Sequence, residues 1–265
     1  MSTIPTLSCY IRTQDEARMI GRVLDQVLKL TDDIVIVDSG STDDTQKIVE
    51  SKGAKFISQA WLGNGLQKLR GEKACSRDWV LDLDADELLS DELIDEIRNA
   101  LLSNPPPNLV FSLPLITVPP YGEIWHKINV DPRNKLYNRT VYSMPEHKAW
   151  DQLEPEKITS TKTLKGALYH YSFPNVAHMI AKINKGSTSR ANNAKLKPYP
   201  LVVLRVFFAV PIYFLKHYFQ KGLWRAGIYG FSISMVAAFG RWLRDVKMLE
   251  VHLGKQGRRN KGYDD

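Results

Sequence analysis

The sequence predicts an α/β fold, a doubly wound and mostly parallel sheet followed by amphipathic helices, on three observations. Short apolar runs alternate with stretches of helical spacing through the first hundred residues. Several of these runs end in acidic or small polar residues, the position at which open parallel sheets bind ligands. From residue 176 onward the pattern turns helical, basic and aromatic.

The elements follow in order. Residues 7–11 read as a strand, residues 16–30 carry apolar side chains at helical spacing, and Ile34-Val35-Ile36-Val37 is a short buried strand. Strand, helix, strand implies parallel pairing. A helix over 42–52 is stopped by Gly53, and Lys55-Phe56-Ile57 is a third strand. A further helix over 66–75 precedes the strand Trp79-Val80-Leu81. After a helix over 90–102, Asn104-Pro105-Pro106-Pro107-Asn108 reads as a turn inside one domain. Strands are expected over 110–118 and 163–171, and the polar stretch 119–158 between them is expected to shape a pocket. The sheet domain is taken as 1–175 and the helical, basic region as 176–265.

The most informative string is Val80-Leu81-Asp82-Leu83-Asp84-Ala85-Asp86-Glu87, an apolar strand running into four carboxylates. Side chains alternate across a strand, so Asp82, Asp84 and Asp86 are expected on one side, where like charges are costly unless a cation neutralises them. Hard oxygen ligands suit Mg²⁺ or Mn²⁺, ions that keep waters and take further ligands from substrate phosphates. The competing reading is an acidic strand end whose Glu87 and Asp91 open the next helix.

Composition fits a globular chain of one large or two modest domains, 265 residues with 43% hydrophobic content. Thirty-six basic against 29 acidic residues give a charge of +7, with the excess downstream, which points to polyanions or an anionic membrane surface. Cys9 and Cys75 are too few for a disulfide framework, and Arg12, Asp15, Glu16 and Arg18 interrupt any apolar leader pattern. Two apolar blocks, 201–219 and 223–242, raise the membrane question. Arg205, Pro211, Lys216 and His217 interrupt the first, and the apolar run 227–240 inside the second is shorter than the ~20 residues a span needs. Interleaved with Trp, Tyr and Phe, the basic residues read as amphipathic helices lying in an anionic interface, with ordinary packing on the sheet as the alternative. The basic tail 255–261 reads as a solvated end.

Several strings together resemble the family 2 glycosyltransferases: Ile11-Arg12-Thr13-Gln14-Asp15-Glu16-Ala17, Ile36-Val37-Asp38-Ser39-Gly40-Ser41-Thr42-Asp43-Asp44-Thr45, Trp61 with Gly63, Gly65, Gln67 and Lys68, and Asp78-Trp79-Val80-Leu81 leading into Asp84-Ala85-Asp86-Glu87. The resemblance continues through His170-Tyr171-Ser172 and Lys182-Ile183-Asn184-Lys185, and it is greatest to the bacterial branch that adds a β-1,4-linked glucose to the lipopolysaccharide core. It implies a GT-A fold and an inverting, metal-dependent transfer of a hexose, glucose by this likeness, from a UDP-sugar to a lipid-linked glycan. Work of that kind belongs at the cytoplasmic face of the bacterial inner membrane, with the enzyme peripheral and no nucleic acid as partner.

By the same resemblance Thr13, Glu16 and Asp38, with Gly40 in the same turn, would hold the uracil and ribose, and Gln67, Lys68 and Arg70 would reach the ribose or diphosphate. Asp84 would sit near the ribose, and Asp86 with Asp84 and His170 would hold the metal. As residues alone, Asp38 also reads as a turn cap and Glu16 as a first-turn helix charge. The general base is assigned to Glu146, although the branch's Val-His-Glu or Val-His-Asp string is replaced here by Met144-Pro145-Glu146-His147-Lys148, which makes Asp151 a competing candidate. Arg133, Lys135 and Arg139 are expected to attract an anionic acceptor. Two other classes compare less well. A nucleotidyltransferase would carry a Gly-rich phosphate loop where Thr13-Gln14-Asp15-Glu16 stands, and a non-catalytic membrane or nucleic-acid binding protein would leave the carboxylates unexplained.

Overall fold

A computed structural model describes residues 6–128, 130–193, 196–258 and 260. They divide into two compact units, one of Met1–Val118 with Val130–Ser172, the other of Pro119–Asn129 with Phe173–Asp265.

The first unit is a nine-stranded sheet sandwiched between helices. Its parallel half comprises β1 (Leu7–Thr13), β2 (Ile34–Asp38), β3 (Lys55–Ser58) and β4 (Trp79–Asp84), linked by α1 (Ile20–Val27), α2 (Thr45–Ser51) and α3 (Asn64–Ala74). The chain continues through β5 (Glu87–Leu89), α4 (Asp91–Leu102), β6 (Leu109–Thr117), β7 (Asp131–Asn138), β8 (Ser160–Thr163) and β9 (Leu168–His170). The strand order is β3-β2-β1-β4-β7-β6-β9-β5, with β8 paired to β6.

Alternation of side chains explains the two layers. Leu7, Cys9 and Ile11, with Ile34 and Ile36, and Trp79, Leu81 and Leu83, face α1 and α4, which contribute Ile20, Val23, Leu24, Leu93, Ile94 and Ile97. The opposite side chains Tyr10, Val35, Val37 and Val80 pack with Leu69 of α3. Both faces are covered, so the central strands read as continuous apolar runs.

The elements differ from expectation where polar contacts override pattern. Helix α1 starts at Ile20, not 16, because Asp15, Glu16 and Ala17 donate backbone N–H groups to Ser41, Thr45 and Asp43 of the next loop. The strand expected over 163–171 is two strands, parted around Gly166, where a Cβ would lie 2.4 Å from the Leu93 backbone. Strand β7 falls in the polar stretch 119–158 expected to shape a pocket; its Asp131-Pro132-Arg133-Asn134-Lys135 half carries no apolar alternation, since Lys135 points inward to carboxylates.

The second unit holds α5 (Val176–Asn193), α6 (Tyr199–Leu215) and α7 (Gly227–Lys255). Helix α6 runs on into a π-helical turn, Lys216–Gln220, and together Tyr199–Gln220 is by length and composition apolar enough to cross a membrane, with a mean hydropathy of 1.6. Arg205, which weighed against a span in the sequence, is held by two hydrogen bonds to Asp245 of α7, at 2.9 and 3.1 Å. Pro211 lies inside α6, where its missing N–H leaves the carbonyl of Phe207 without the usual helical donor. In the tail, residues 259 and 261 lie outside the described residues.

Candidate active site

Three parallel strands end at one level. The register sets Thr13 opposite Asp38 and Arg12 opposite Asp84. Asp38 is buried, and its carboxylate accepts from the N–H groups of Gly40 and Ser41, both at 2.8 Å, and from the Ser41 hydroxyl. Gly40 takes φ +91° there, a conformation that L side chains rarely adopt. The β1 and β2 loops are stitched by Asp15, which accepts from the Thr42 N–H at 2.7 Å, and by the Thr45 hydroxyl, which accepts from the Glu16 N–H at 2.9 Å. Gln67 is buried and donates to Ser39 and to the Gln59 carbonyl, fixing the same turn from α3. The buried Thr13 hydroxyl has no hydrogen-bond partner among the described residues, which is costly unless a ligand supplies one.

The acidic group is neutralised by three cations of the chain itself. Lys68 of α3 binds Asp82 at 2.8 Å and lies 3.7 Å from Asp84, and Lys135 of β7 binds Glu87 at 2.8 Å, with Asp84 at 3.5 Å and Asp82 at 3.9 Å. Arg12 donates from Nε to Asp84 at 2.7 Å and from Nη2 to Asp151 at 2.9 Å. Burial alone would raise the Asp84 carboxyl, but Arg12, Lys135 and Lys68 hold it well below the usual carboxylate range. Lys135 titrates far above an ordinary lysine, since the carboxylates outweigh its burial. Asp82 and Asp84 do share a side, as alternation predicts; Asp86 lies beyond β4, in the turn to β5.

That turn brings Asp86 to His170. Strands β5 and β9 pair antiparallel with Glu87 opposite His170, and the imidazole Nε2 lies 3.4 Å from Asp86 Oδ2. Burial would depress His170, but the hydrogen bond to Asp86 and the surrounding carboxylates raise it. Among the described residues no three His, Cys, Asp or Glu side chains gather as a complete metal cage. The donor set therefore fits a hard cation only as a partial site, a carboxylate and an imidazole, with other positions left to phosphate oxygens and water. Asp84 is already paired to Arg12 and Lys135.

The loop 145–151 is fastened to the start of α3. The N–H groups of Asn64 and Gly65 donate to the carbonyls of Lys148 and His147, at 2.8 and 3.0 Å, and the Asn64 amide donates to Ala149 and accepts from Arg12. A Cβ on Gly65 would meet the Trp150 carbonyl at 2.4 Å, and one on Gly63 would meet the Lys148 backbone at 2.7 Å. This clamp sets Asp151 against Arg12. Glu146, by contrast, is 74% exposed, lines a groove with Trp150 and Tyr142, and lies 3.8 Å from Lys73.

The remaining basic candidates separate. Arg70 is exposed. Arg133 pairs with Asp131 at 2.7 Å, and Arg139 donates to the Arg77 carbonyl at 2.6 Å. Lys135, expected to draw in an acceptor, is instead a buried counter-ion of the acidic group. Sequence reasoning assigned no site role to Arg12, Asn64 or Glu87. The signal for Arg12 lay in its place directly after the apolar run 7–11; because β1 extends to Thr13, the guanidinium sits within the strand and requires a partner.

Residues 8–165 match the family model described as glycosyl transferase family 2. The chain is 32% identical to an uncharacterized glycosyltransferase of Rickettsia bellii (strain RML369-C), over 93% of this chain and 87% of the relative. It is 30% identical to the lipopolysaccharide core biosynthesis glycosyltransferase LpsC of Rhizobium meliloti (strain 1021), over 93% of each. Among solved structures, residues 1–349 of S. aureus TarS match at a TM-score of 0.45 and 14% identity, over 97% of this chain and 93% of that one.

Proposed function

Because the chain belongs to glycosyl transferase family 2 and is a glycosyltransferase, we propose that it transfers a hexose, glucose in the first instance, from a UDP-sugar to a lipid-linked glycan such as the lipopolysaccharide core, with inversion. One observation carries the reading: Arg12 joins Asp84, at the strand ends, to Asp151 on the loop clamped to α3. A single guanidinium thus ties the donor edge to a carboxylate able to act as base. The unpartnered Thr13 hydroxyl, in register with Asp38, supports a nucleoside at this level, and the likeness to LpsC supports a lipopolysaccharide-type acceptor.

In this reading Asp151 takes the proton from the acceptor hydroxyl as its oxygen bonds to the anomeric carbon and the bond to UDP breaks on the opposite face. Arg12 orients Asp151 and keeps Asp84 ionised. Asp86 and His170 would hold a Mg²⁺ or Mn²⁺ ion, which when bound supplies positive charge to the leaving diphosphate. Lys68 and Lys135 neutralise Asp82 and Glu87. In the same reading the enzyme works at the cytoplasmic face of the bacterial inner membrane, with the basic, apolar surface of the second unit as its attachment.

The test is release of UDP from UDP-glucose and other UDP-sugars with Mn²⁺, alongside transfer to a core oligosaccharide. Wild type should release UDP and Asp86→Ala should not. Asp151→Asn should bind UDP but lose transfer by about 10²–10⁴-fold, the range for a general base, and Glu146→Gln should stay close to wild type. The reverse order of these two variants would move the base to Glu146. No response to any nucleotide sugar would sink the donor assignment.

A further inference from the structure

The second unit contains a cavity that the donor chemistry does not use. It lies between the segment 121–128 and the turn leading into α7, with a volume of about 470 Å³, and Tyr121, Trp125, Lys127, Arg225 and Tyr229 are in its wall. Such a volume is on the scale of small-ligand sites, which join apolar walls to a few placed polar groups. The floor is rigid: Trp125 and Ile128 are buried with Phe173, Leu223 and Ile233 in a core of their own. The opposite wall is a 3₁₀ turn, Leu223–Ala226, bounded by Gly222 at φ +79° and Gly227 at φ +59°, both in the region that favours glycine.

Three features describe an occupant. The Tyr229 hydroxyl is buried with no hydrogen-bond partner among the described residues, although its ring packs edge-on to Tyr121 at 5.6 Å. A buried orphan hydroxyl is destabilising until something polar meets it. Arg225 lies over the Trp224 ring at 5.0 Å, and among the described residues no carboxylate pairs with Arg225 or Lys127. Two unpaired cations beside a pocket favour a phosphate. Tyr121, largely exposed, offers aromatic surface for the apolar face of a ring, and Glu123 offers an acceptor for hydroxyls.

We propose that this cavity binds a hexose phosphate, the phosphorylated sugar of the glycan acceptor. Aromatic wall, orphan hydroxyl, carboxylate and two unpaired cations match a sugar ring bearing one anionic group better than an acyl chain or a bare ion. The proposal rests on the glycosyltransferase reading only for the molecule that carries the group; the pocket chemistry stands apart from the donor site.

The experiment titrates the full chain with glucosamine 1-phosphate, following tryptophan fluorescence, with glucosamine and inorganic phosphate as separate probes. Release of UDP from UDP-glucose is followed in the same preparation. Wild type should respond saturably to the sugar phosphate and not to either half alone over the same range. Arg225→Ala should weaken binding about tenfold or more, as for loss of a charged hydrogen bond. Tyr229→Phe should weaken it about fivefold, as for a neutral one, and should fold normally because it removes only the orphan oxygen. Asp86→Ala should retain the response. A wild type that releases UDP but shows no saturable response overturns the pocket while leaving the transferase intact. A response equally strong to phosphate alone, or unchanged in both pocket variants, overturns it as well. A saturable, variant-sensitive response without UDP release supports the pocket and counts against the donor assignment instead.

Discussion

At the residue scale the site is governed by how its carboxylates are neutralised. Lys68 and Asp82 are both almost fully buried and 2.8 Å apart. Removing one partner of such a pair strands the other, at about 3–5 kcal/mol, whereas replacing both with apolar groups is often neutral. Lys68→Met should therefore lower the unfolding free energy in urea by about that range, and Lys68→Met with Asp82→Leu should recover most of it. A single variant as stable as wild type would show that Lys135, 3.9 Å from Asp82, suffices alone. A second buried carboxylate, Glu72, accepts from Tyr137, Ser143 and Met144, yet its burial raises it above an ordinary glutamate. A group that holds its proton more tightly when folded adds stability below its unfolded value and loses it as pH rises through its folded value. The urea midpoint of Glu72→Gln, compared with wild type from about pH 4 to pH 7, should thus shift in the variant's favour as pH rises. The altered hydrogen bonds add an offset without slope, so parallel curves would show that Glu72 ionises freely. The carboxylates themselves were legible in Asp82-Leu83-Asp84-Ala85-Asp86-Glu87. Their counter-ions were not, because Arg12, Lys68 and Lys135 come from three elements separated by scores of residues and meet only through sheet register and α3 packing.

At the element scale the start of α3 is the joint between the sheet and the loop carrying Asp151. Gly65 sits where a Cβ would overlap the carbonyls of Trp150, Pro145 and His147, at 2.4, 2.6 and 2.8 Å. These are backbone atoms, so Gly65→Ala must push the loop away. It should cost about 1–3 kcal/mol of stability, as overpacking does, and should lower turnover more than UDP binding, since Asp151 moves and the strand ends do not. Gly186, inside α5 with nothing within 4 Å of its Cβ position, gives the opposite sign. Gly186→Ala should raise stability by about 0.4–1 kcal/mol through lower freedom of the unfolded chain. Thermal melts and UDP-release assays on both variants check the pair; a Gly65→Ala enzyme with normal turnover would show that the clamp does not position the base. The parallel half of the sheet was legible because both its faces are apolar. Strands β5 and β7 were not, the first for its three-residue length and the second because ion pairs replace apolar alternation. His170 was found as a string, but its approach to Asp86 depends on β5, the element the sequence left out.

At the scale of the whole molecule, the basic excess and the exposed apolar surface fall in the same unit. Phe207 and Ile228 are 74% and 82% exposed, and Leu204, Phe208, Ile212, Leu215, Phe219 and Trp224 are at least half exposed as well. An apolar surface of this extent on a soluble monomer is unusual and marks a contact. Lys216 and Lys221 interrupt the same stretch, which suits anionic headgroups above buried apolar side chains. The chain should sediment with phosphatidylglycerol vesicles more strongly than with phosphatidylcholine vesicles, and less so in high salt, because exposed charges are screened within about 10 Å at 0.1 M. Burying one large apolar side chain is worth about 1.5–3 kcal/mol. Phe207→Ser with Ile228→Ser should therefore weaken partition by at least about tenfold, with little change in melting temperature, since neither side chain is buried in the protein. Partition unchanged by salt and by both substitutions would place the contact elsewhere. The same vesicles distinguish lying from crossing: alkaline carbonate releases a surface-bound helix and leaves a spanning one in place. Release is the expected result, because Lys216 and His217 interrupt the apolar run and the interleaved basic and aromatic residues suit a helix lying in the interface. Retention would instead identify Tyr199–Gln220 as a span, with the ion pair to Asp245 neutralising Arg205 inside the bilayer.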